Sequence, residues 1–243
     1  MIKKILFKKN LFNFSKALAS INLKPNEFKI KEGEKALCLA PHADDESIGM
    51  GGTLALNSNK FDVILLTDGR KGVKGAPIDE IIETRKSEFA QAMKICKIQN
   101  YSFLECEDKK LLWEEDKFTQ IDISNYDYIF IPNIIDQHPD HKAVAINLNK
   151  ALKTKKHKSN LKICFYEVWS ALSFVNGFVD ITDVIETKKE MIASYPSQTS
   201  QKNYEYHALG LNQYRGMLKD KDYVEAFCIL NTKDFNEICK MYS

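Results

Sequence analysis

Short runs rich in apolar residues recur along the chain, each bounded by polar or turn-forming residues and separated by longer stretches of helical periodicity. They fall at residues 36–40 (ALCLA), 61–66 (FDVILL), 101–104, 128–131 and 163–168. Apolar runs of this length suit strands covered on both faces, as in a parallel sheet. Between them the spacing predicts helices over 46–57, over 78–96 after Pro77 and over 139–152. In the second of these, Ile81, Ile82, Phe89, Met93 and Cys96 share one broad face. Alternating strands and helices predict an α/β fold: a Rossmann-like, doubly wound, mostly parallel sheet with helices on both faces. In such sheets ligands bind beyond the carboxyl ends of the strands, at the point where the strand order reverses.

The 243 residues show no internal repeat, no low-complexity tract and no Pro/Gly-rich linker. The expectation is one domain over 35–243 preceded by a lead-in segment, 1–34. The lead-in begins MIKKILFKKN, where Lys8 and Lys9 interrupt the apolar stretch, so it does not read as a secretory signal. Its lysines, interleaved with Ile, Leu and Phe, predict a short amphipathic helix that packs on the domain or touches a membrane surface. No run approaches the roughly 20 apolar residues of a membrane span. With 35 basic against 33 acidic residues and a net charge of +2, the chain lacks the basic excess of a nucleic-acid binder. Six scattered cysteines without a C-x-x-C pair read as buried, reduced thiols, which places the chain in the cytoplasm.

Directly after the first run comes Pro41-His42-Ala43-Asp44-Asp45-Glu46, one imidazole and three carboxylates in a single strand-to-helix turn. Adjacent carboxylates repel unless a cation lies among them. After the fourth run comes Asp136-Gln137-His138-Pro139-Asp140-His141, so three of the five histidines fall in two short motifs at two strand ends. His42, Asp45 and His141 form a His₂-carboxylate set with a position left open, which is the donor pattern of a catalytic zinc (Zn2+), with Fe2+ or another divalent metal as the substitute. Asp44, beside a ligand, is then placed to accept a proton from water, and His138 to stabilise an oxyanion. Asp140 is placed to orient one of the imidazoles. Taken singly, Asp44, Asp45 and Asp140 also suit helix caps. Gly49, Gly51, Gly52 and Asp68 outline a dinucleotide site only loosely: GMGG is not G-x-G-x-x-G, and three carboxylates occupy the turn a pyrophosphate would enter. The glycines read instead as sites of close helix packing.

PHADDE and HPDH together resemble the PIG-L/LmbE family of metal-dependent N-deacetylases, with Ala43 in place of the family's usual proline. LLTDGR, RKSEFAQA, YEVW, VDITDVIETK, SYPSQ and YVEAF resemble its other blocks, so the likeness runs over about 35–230. The resemblance implies zinc on His42, Asp45 and His141, Asp44 as general base, and His138 as the group that stabilises the oxyanion and assists amine departure. It further implies Arg85 as a substrate contact, with Arg70 as a second. Asp136 stands where some members carry an aromatic residue. The implied activity is removal of acetyl from a small or lipid-linked N-acetylated amino sugar. Two alternatives stand beside it: a metal-dependent carbohydrate-binding or scaffold protein on the same fold, and phosphoester hydrolysis. A single metal with one carboxylate ligand argues against the last. The segments at 73–77, 105–118 and 194–210 are the expected specificity loops.

Overall fold

The computed structural model describes residues 24–217 and 219–242, with residues 9, 11–13, 15, 16 and 19 before them. The amphipathic stretch at the start of the chain otherwise lies outside the described residues. In chain order the elements are β1 (Asn26–Glu27), β2 (Ala36–Ala40), α1 (Asp45–Leu56), β3 (Phe61–Thr67), α2 (Ile78–Ile95), β4 (Asn100–Cys106), α3 (Glu115–Phe118), β5 (Tyr128–Pro132) and α4 (Pro139–Thr154). They continue with β6 (Lys162–Tyr166), β7 (Gly177–Asp180), α5 (Ile185–Ala193), α6 (Pro196–Thr199), α7 (Tyr204–Met217), β8 (Val224–Asn231) and α8 (Thr232–Cys239).

The eight strands form one sheet in the order β1-β7-β8-β6-β5-β2-β3-β4. β2 pairs in parallel with β3 on one side and β5 on the other, and β4 and β6 extend the two wings in parallel. The strand order therefore reverses beside β2, and the crevice at the carboxyl ends of β2 and β5 is the switch point. Beyond β6 the sheet departs from the five runs read in the sequence. β8 runs antiparallel to both β6 and β7, and β1 joins β7 in parallel.

Alternation along each strand divides the core between the two faces. Leu37, Leu39, Ile129 and Ile131 pack with Val144 and Leu148 of α4 and Phe235 of α8. Ala36, Cys38 and Phe130 pack on the opposite face with Phe89 and Met93 of α2 and Met50 of α1. Among the described residues no helix is long and apolar enough to cross a membrane.

One local feature matters for the site. α1 is broken at Met50 (φ −150°, ψ 24°), so its first turn, which carries Asp45, is set separately from its second half. The second half starts at Gly51 and Gly52, where an added Cβ on Gly52 would lie 2.6 Å from Ile181. Its exposed N–H groups are capped by Glu225 of β8, which accepts from Gly52 N (2.9 Å), Thr53 N (2.7 Å) and Thr53 Oγ1 (2.6 Å). Lys188 Nζ, 2.6 Å away, neutralises the fully buried carboxylate. The glycine run of the sequence thus meets side chains rather than a dinucleotide: a Cβ on Gly49 would lie 2.4 Å from the Tyr166 ring.

Candidate active site

The loops after β2, β3, β4, β5 and β6 converge on one cleft of about 210 Å³, lined among others by His42, Asp44, Asp45, Arg85, Asp108 and His138. Asp45, at the start of α1, turns its Oδ2 back to the His42 backbone N–H (2.9 Å) and to His42 Nδ1 (3.1 Å). The same oxygen lies 3.1 Å from His141 Nε2, so one carboxylate oxygen joins imidazoles that stand 99 positions apart in the chain. The rings of His42, His138 and His141 each offer a nitrogen within 4.8 Å of the others.

The donor set fits a cation. His141 is completely buried, yet neither of its ring nitrogens makes an aligned hydrogen bond, although Asp45 and Asp136 lie at 3.1 and 3.3 Å. Buried polar atoms left in that state cost free energy unless something else coordinates them. Burial opposes charge on these groups, but the carboxylates of Asp45 and Asp136 push His141 up to about 9. Burial likewise opposes the Asp45 charge, and His141 and His42 override it and hold the carboxyl well below its usual range. Asp136 fixes the second motif: it accepts the His138 N–H at 3.1 Å and the Trp169 N–H at 3.0 Å, and faces His141 Nδ1. Its carboxylate therefore serves as the orienting partner that ligating imidazoles commonly have.

Asp44 sits at φ 144°, ψ −27°, a conformation rarely adopted by a residue with a side chain, just ahead of α1. It makes no side-chain cap to that helix. Burial pushes its carboxyl up to about 6, against the pull of Arg85. His138 caps α4 instead: its Nδ1 accepts the Asp140 N–H at 3.2 Å. In the neutral ring that leaves the hydrogen on Nε2. Burial and the neighbouring imidazoles of His42 and His141 lower His138 to about 4, which keeps the ring neutral. Asp140 accepts from Lys109 N (2.7 Å) and Leu111 N (3.3 Å) and faces His42 Nε2 at 3.2 Å, so it ties the loop after β4 to the first motif.

The two arginines behave differently from the expectation. Arg85 lines the cleft but is turned inward and only 2% exposed. Its guanidinium donates to the Ala43 carbonyl, lies 3.4 Å from Asp44 Oδ2, and contacts Ser197 Oγ and Glu88. In this arrangement it holds the strained turn and the Asp44 carboxylate, because the buried carboxylates of Asp44 and Glu88 attract it away from the open space. Arg70 is not brought to the cleft: Asp68 draws its guanidinium aside, with Nε 2.8 Å from Oδ2.

Asp108, just after β4, was not singled out in the sequence. It is 4% exposed, its Oδ2 accepts the Lys71 N–H at 3.0 Å, and its Oδ1 takes no hydrogen bond and lies 3.5 Å from His42 Nε2. Its place at a strand end was the available signal. His207 is exposed on α7 and lines not this cleft but a neighbouring cavity of about 180 Å³.

Against this geometry, known proteins supply a frame. The family model described as PIG-L: GlcNAc-PI de-N-acetylase matches residues 37–152, the span from β2 to the end of α4 and hence both His/Asp motifs. Over that span the chain matches a PIG-L family domain. Diacetylchitobiose deacetylase of Thermococcus kodakarensis is 28% identical over 211 residues, 76% of this chain and 77% of that protein. A probable N-acetyl-α-D-glucosaminyl L-malate deacetylase 2 of Bacillus subtilis is 28% identical over 185 residues, 68% of this chain and 84% of its own length. Among solved structures, N,N'-diacetylchitobiose deacetylase from Pyrococcus horikoshii superposes with a TM-score of 0.74 at 24% identity, covering 90% of this chain and 92% of that one. That likeness shows a shared fold over most of the chain, beyond the matched span.

Proposed function

We propose that this protein is a metal-dependent deacetylase of the PIG-L type that removes acetyl from an N-acetylated amino sugar or its conjugate. The observation that carries the reading is the convergence of His42, Asp45 and the buried His141 at the switch point, with Asp44 and His138 beside them on the cleft. The relatives named as deacetylases support it. His42, Asp45 and His141 are the residues that would hold the cation, which is zinc on the chemistry of two imidazoles and one carboxylate. When bound there, such a cation polarises an amide carbonyl and lowers the pKa of water.

The chain's own groups supply the rest. Asp44 lines the cleft next to the ligand Asp45, and its carboxylate accepts the proton of the attacking water. Arg85, anchored on the Ala43 carbonyl, keeps that carboxylate aimed at the cleft. The Nε2–H of His138 donates to the oxygen on which negative charge develops and supports the amine's departure, and the proton that Asp44 took from the water passes to that amine. Asp140 and Asp136 hold the two motifs in register. Asp108 lines the cleft, and its Oδ1, 3.5 Å from His42 Nε2, steadies that ring beside Asp140.

The test is acetate release from N-acetylglucosamine and its conjugates by the zinc-loaded protein, alongside elemental analysis. About one metal per chain and acetate release abolished by chelation is the expected result. A protein that takes up no metal when zinc is offered would remove the reading.

A further inference from the structure

Residues 1–26 stand apart from the rest of the chain in charge. They hold six lysines and no carboxylate, whereas the remainder holds 29 basic and 33 acidic side chains. This stretch lies ahead of the matched span 37–152 and takes no part in the proposed chemistry. Within it, KKILFKK at 3–9 sets three apolar residues between two pairs of lysines.

The described residues before residue 24, namely 9, 11–13, 15, 16 and 19, are helical, and Ser15 Oγ donates to the Leu11 carbonyl one turn back at 2.9 Å. Lys9, Phe12 and Lys16 stand at i, i+3 and i+7, so they share one face. That face is turned to solvent. Phe12 is 68% exposed and Leu11 beside it 45%, and both lysines are exposed. A helix that only packs on a domain turns its phenylalanines inward and its lysines outward. Here an aromatic ring lies in water between two ammonium groups. An anionic lipid surface answers both kinds of group at once, because the ring enters the acyl boundary while the flexible lysine stems carry their charges to the phosphates above it.

The contacts of the helix fix where such a surface lies relative to the cleft. The side chains of Lys240, foremost, and Asn13 hold the Glu237 carboxyl below its usual range, so Asn13 lies against the last turn of α8. Ile238 and Tyr242, just beyond, share a small apolar pocket with Asn133, Ile134 and Ile135 of the loop after β5. That loop leads into Asp136 and His138, and Ile135 is 48% exposed on it. The helix therefore stands at the edge of the sheet that carries the cleft.

We propose that the basic lead-in is a peripheral anchor that docks this face on an anionic phospholipid surface, with Phe12 as the inserted ring and Lys9 and Lys16 as phosphate contacts. The rest of the chain is net acidic and is repelled by such a surface, so the contact falls to this segment. Docking of this kind is independent of which bond the cleft hydrolyses, so neither reading falls with the other.

The test is co-sedimentation of the full chain at low salt with vesicles of phosphatidylcholine alone and with vesicles that contain about 30% phosphatidylglycerol. Binding to the anionic vesicles alone is expected, with release at about 0.5 M salt. Phe12→Ser, and Lys9→Glu with Lys16→Glu, should each lower the partition by about tenfold or more while leaving Tm unchanged. The matched swap Lys94→Glu with Lys97→Glu, at exposed positions around the end of α2 on the opposite face of the sheet from α8, should leave it within about twofold. No uptake by anionic vesicles, equal uptake by both kinds, or an equal loss in the matched swap overturns the anchor. Sedimentation velocity without lipid covers the competing occupant, a second copy of the chain. Self-association abolished by Phe12→Ser, with vesicle binding untouched, would make this face an interface between copies and overturn the proposal.

Discussion

Asp44 and Asp45 are adjacent and chemically identical, and the structure gives them opposite surroundings. Asp45 is drawn between two imidazoles, whereas Asp44 is held at φ 144° against Arg85 with burial raising its carboxyl. The difference predicts different phenotypes. Asp44→Asn should keep the metal, by elemental analysis, and lower acetate release by about 10²–10⁴-fold, the usual worth of a general base. His141→Ala should lose the metal itself. Asp136→Ala, which removes the orienting carboxylate, should weaken zinc affinity by about 10–100-fold in a chelator competition. At this scale the two His/Asp motifs were legible because each is contiguous in sequence and too dense in charge for an ordinary turn. Asp108 was not, because a single acid at a strand end looks like any surface carboxylate until its neighbours are known. Arg70 and Arg85 show the converse: sequence marks them as rare guanidiniums, but only the position of Asp68, Asp44 and Glu88 decides which way each points.

The broken helix α1 is the element on which the site depends. Its first turn delivers Asp45, and its second half is anchored from β8 by Glu225 and from α5 by Lys188. Removing one partner of a buried ion pair strands the other charge. Glu225→Ala should therefore cost about 3–5 kcal/mol in urea unfolding. The glycines of α1 are equally constrained. Gly52→Ala places a Cβ 2.6 Å from Ile181, and the overpacking should cost about 1–3 kcal/mol, read as a lowered Tm. Sequence spacing placed this helix within a residue at each end, since a period of 3.6 and a following turn are local signals. The break at Met50 was not visible, because the carboxylate that caps the half beyond it comes from a strand some 170 positions later.

Across the whole molecule, the six cysteines lie on or beneath the sheet, all buried. Burial pushes the thiols of Cys96, Cys106, Cys228 and Cys239 up to about 12, with Cys38 and Cys164 also raised. They should resist a thiol reagent in the native protein and react six per chain once it is unfolded in guanidinium; prompt native labelling of several would contradict this packing. A raised folded pKa also means that the thiols favour the folded state below about 9 and withdraw that stability as pH rises from there toward 12. The sequence by itself determined the alternation of strand and helix, the parallel centre of the sheet and the two charged motifs at its strand ends, because each is written in local periodicity or in adjacent residues. Only the tertiary structure decided the antiparallel wing of β7 and β8, the inward turn of Arg85 and the bare oxygen of Asp108. Each of these depends on which distant side chain fills, neutralises or leaves open the space beside it, and no local signal carries that information.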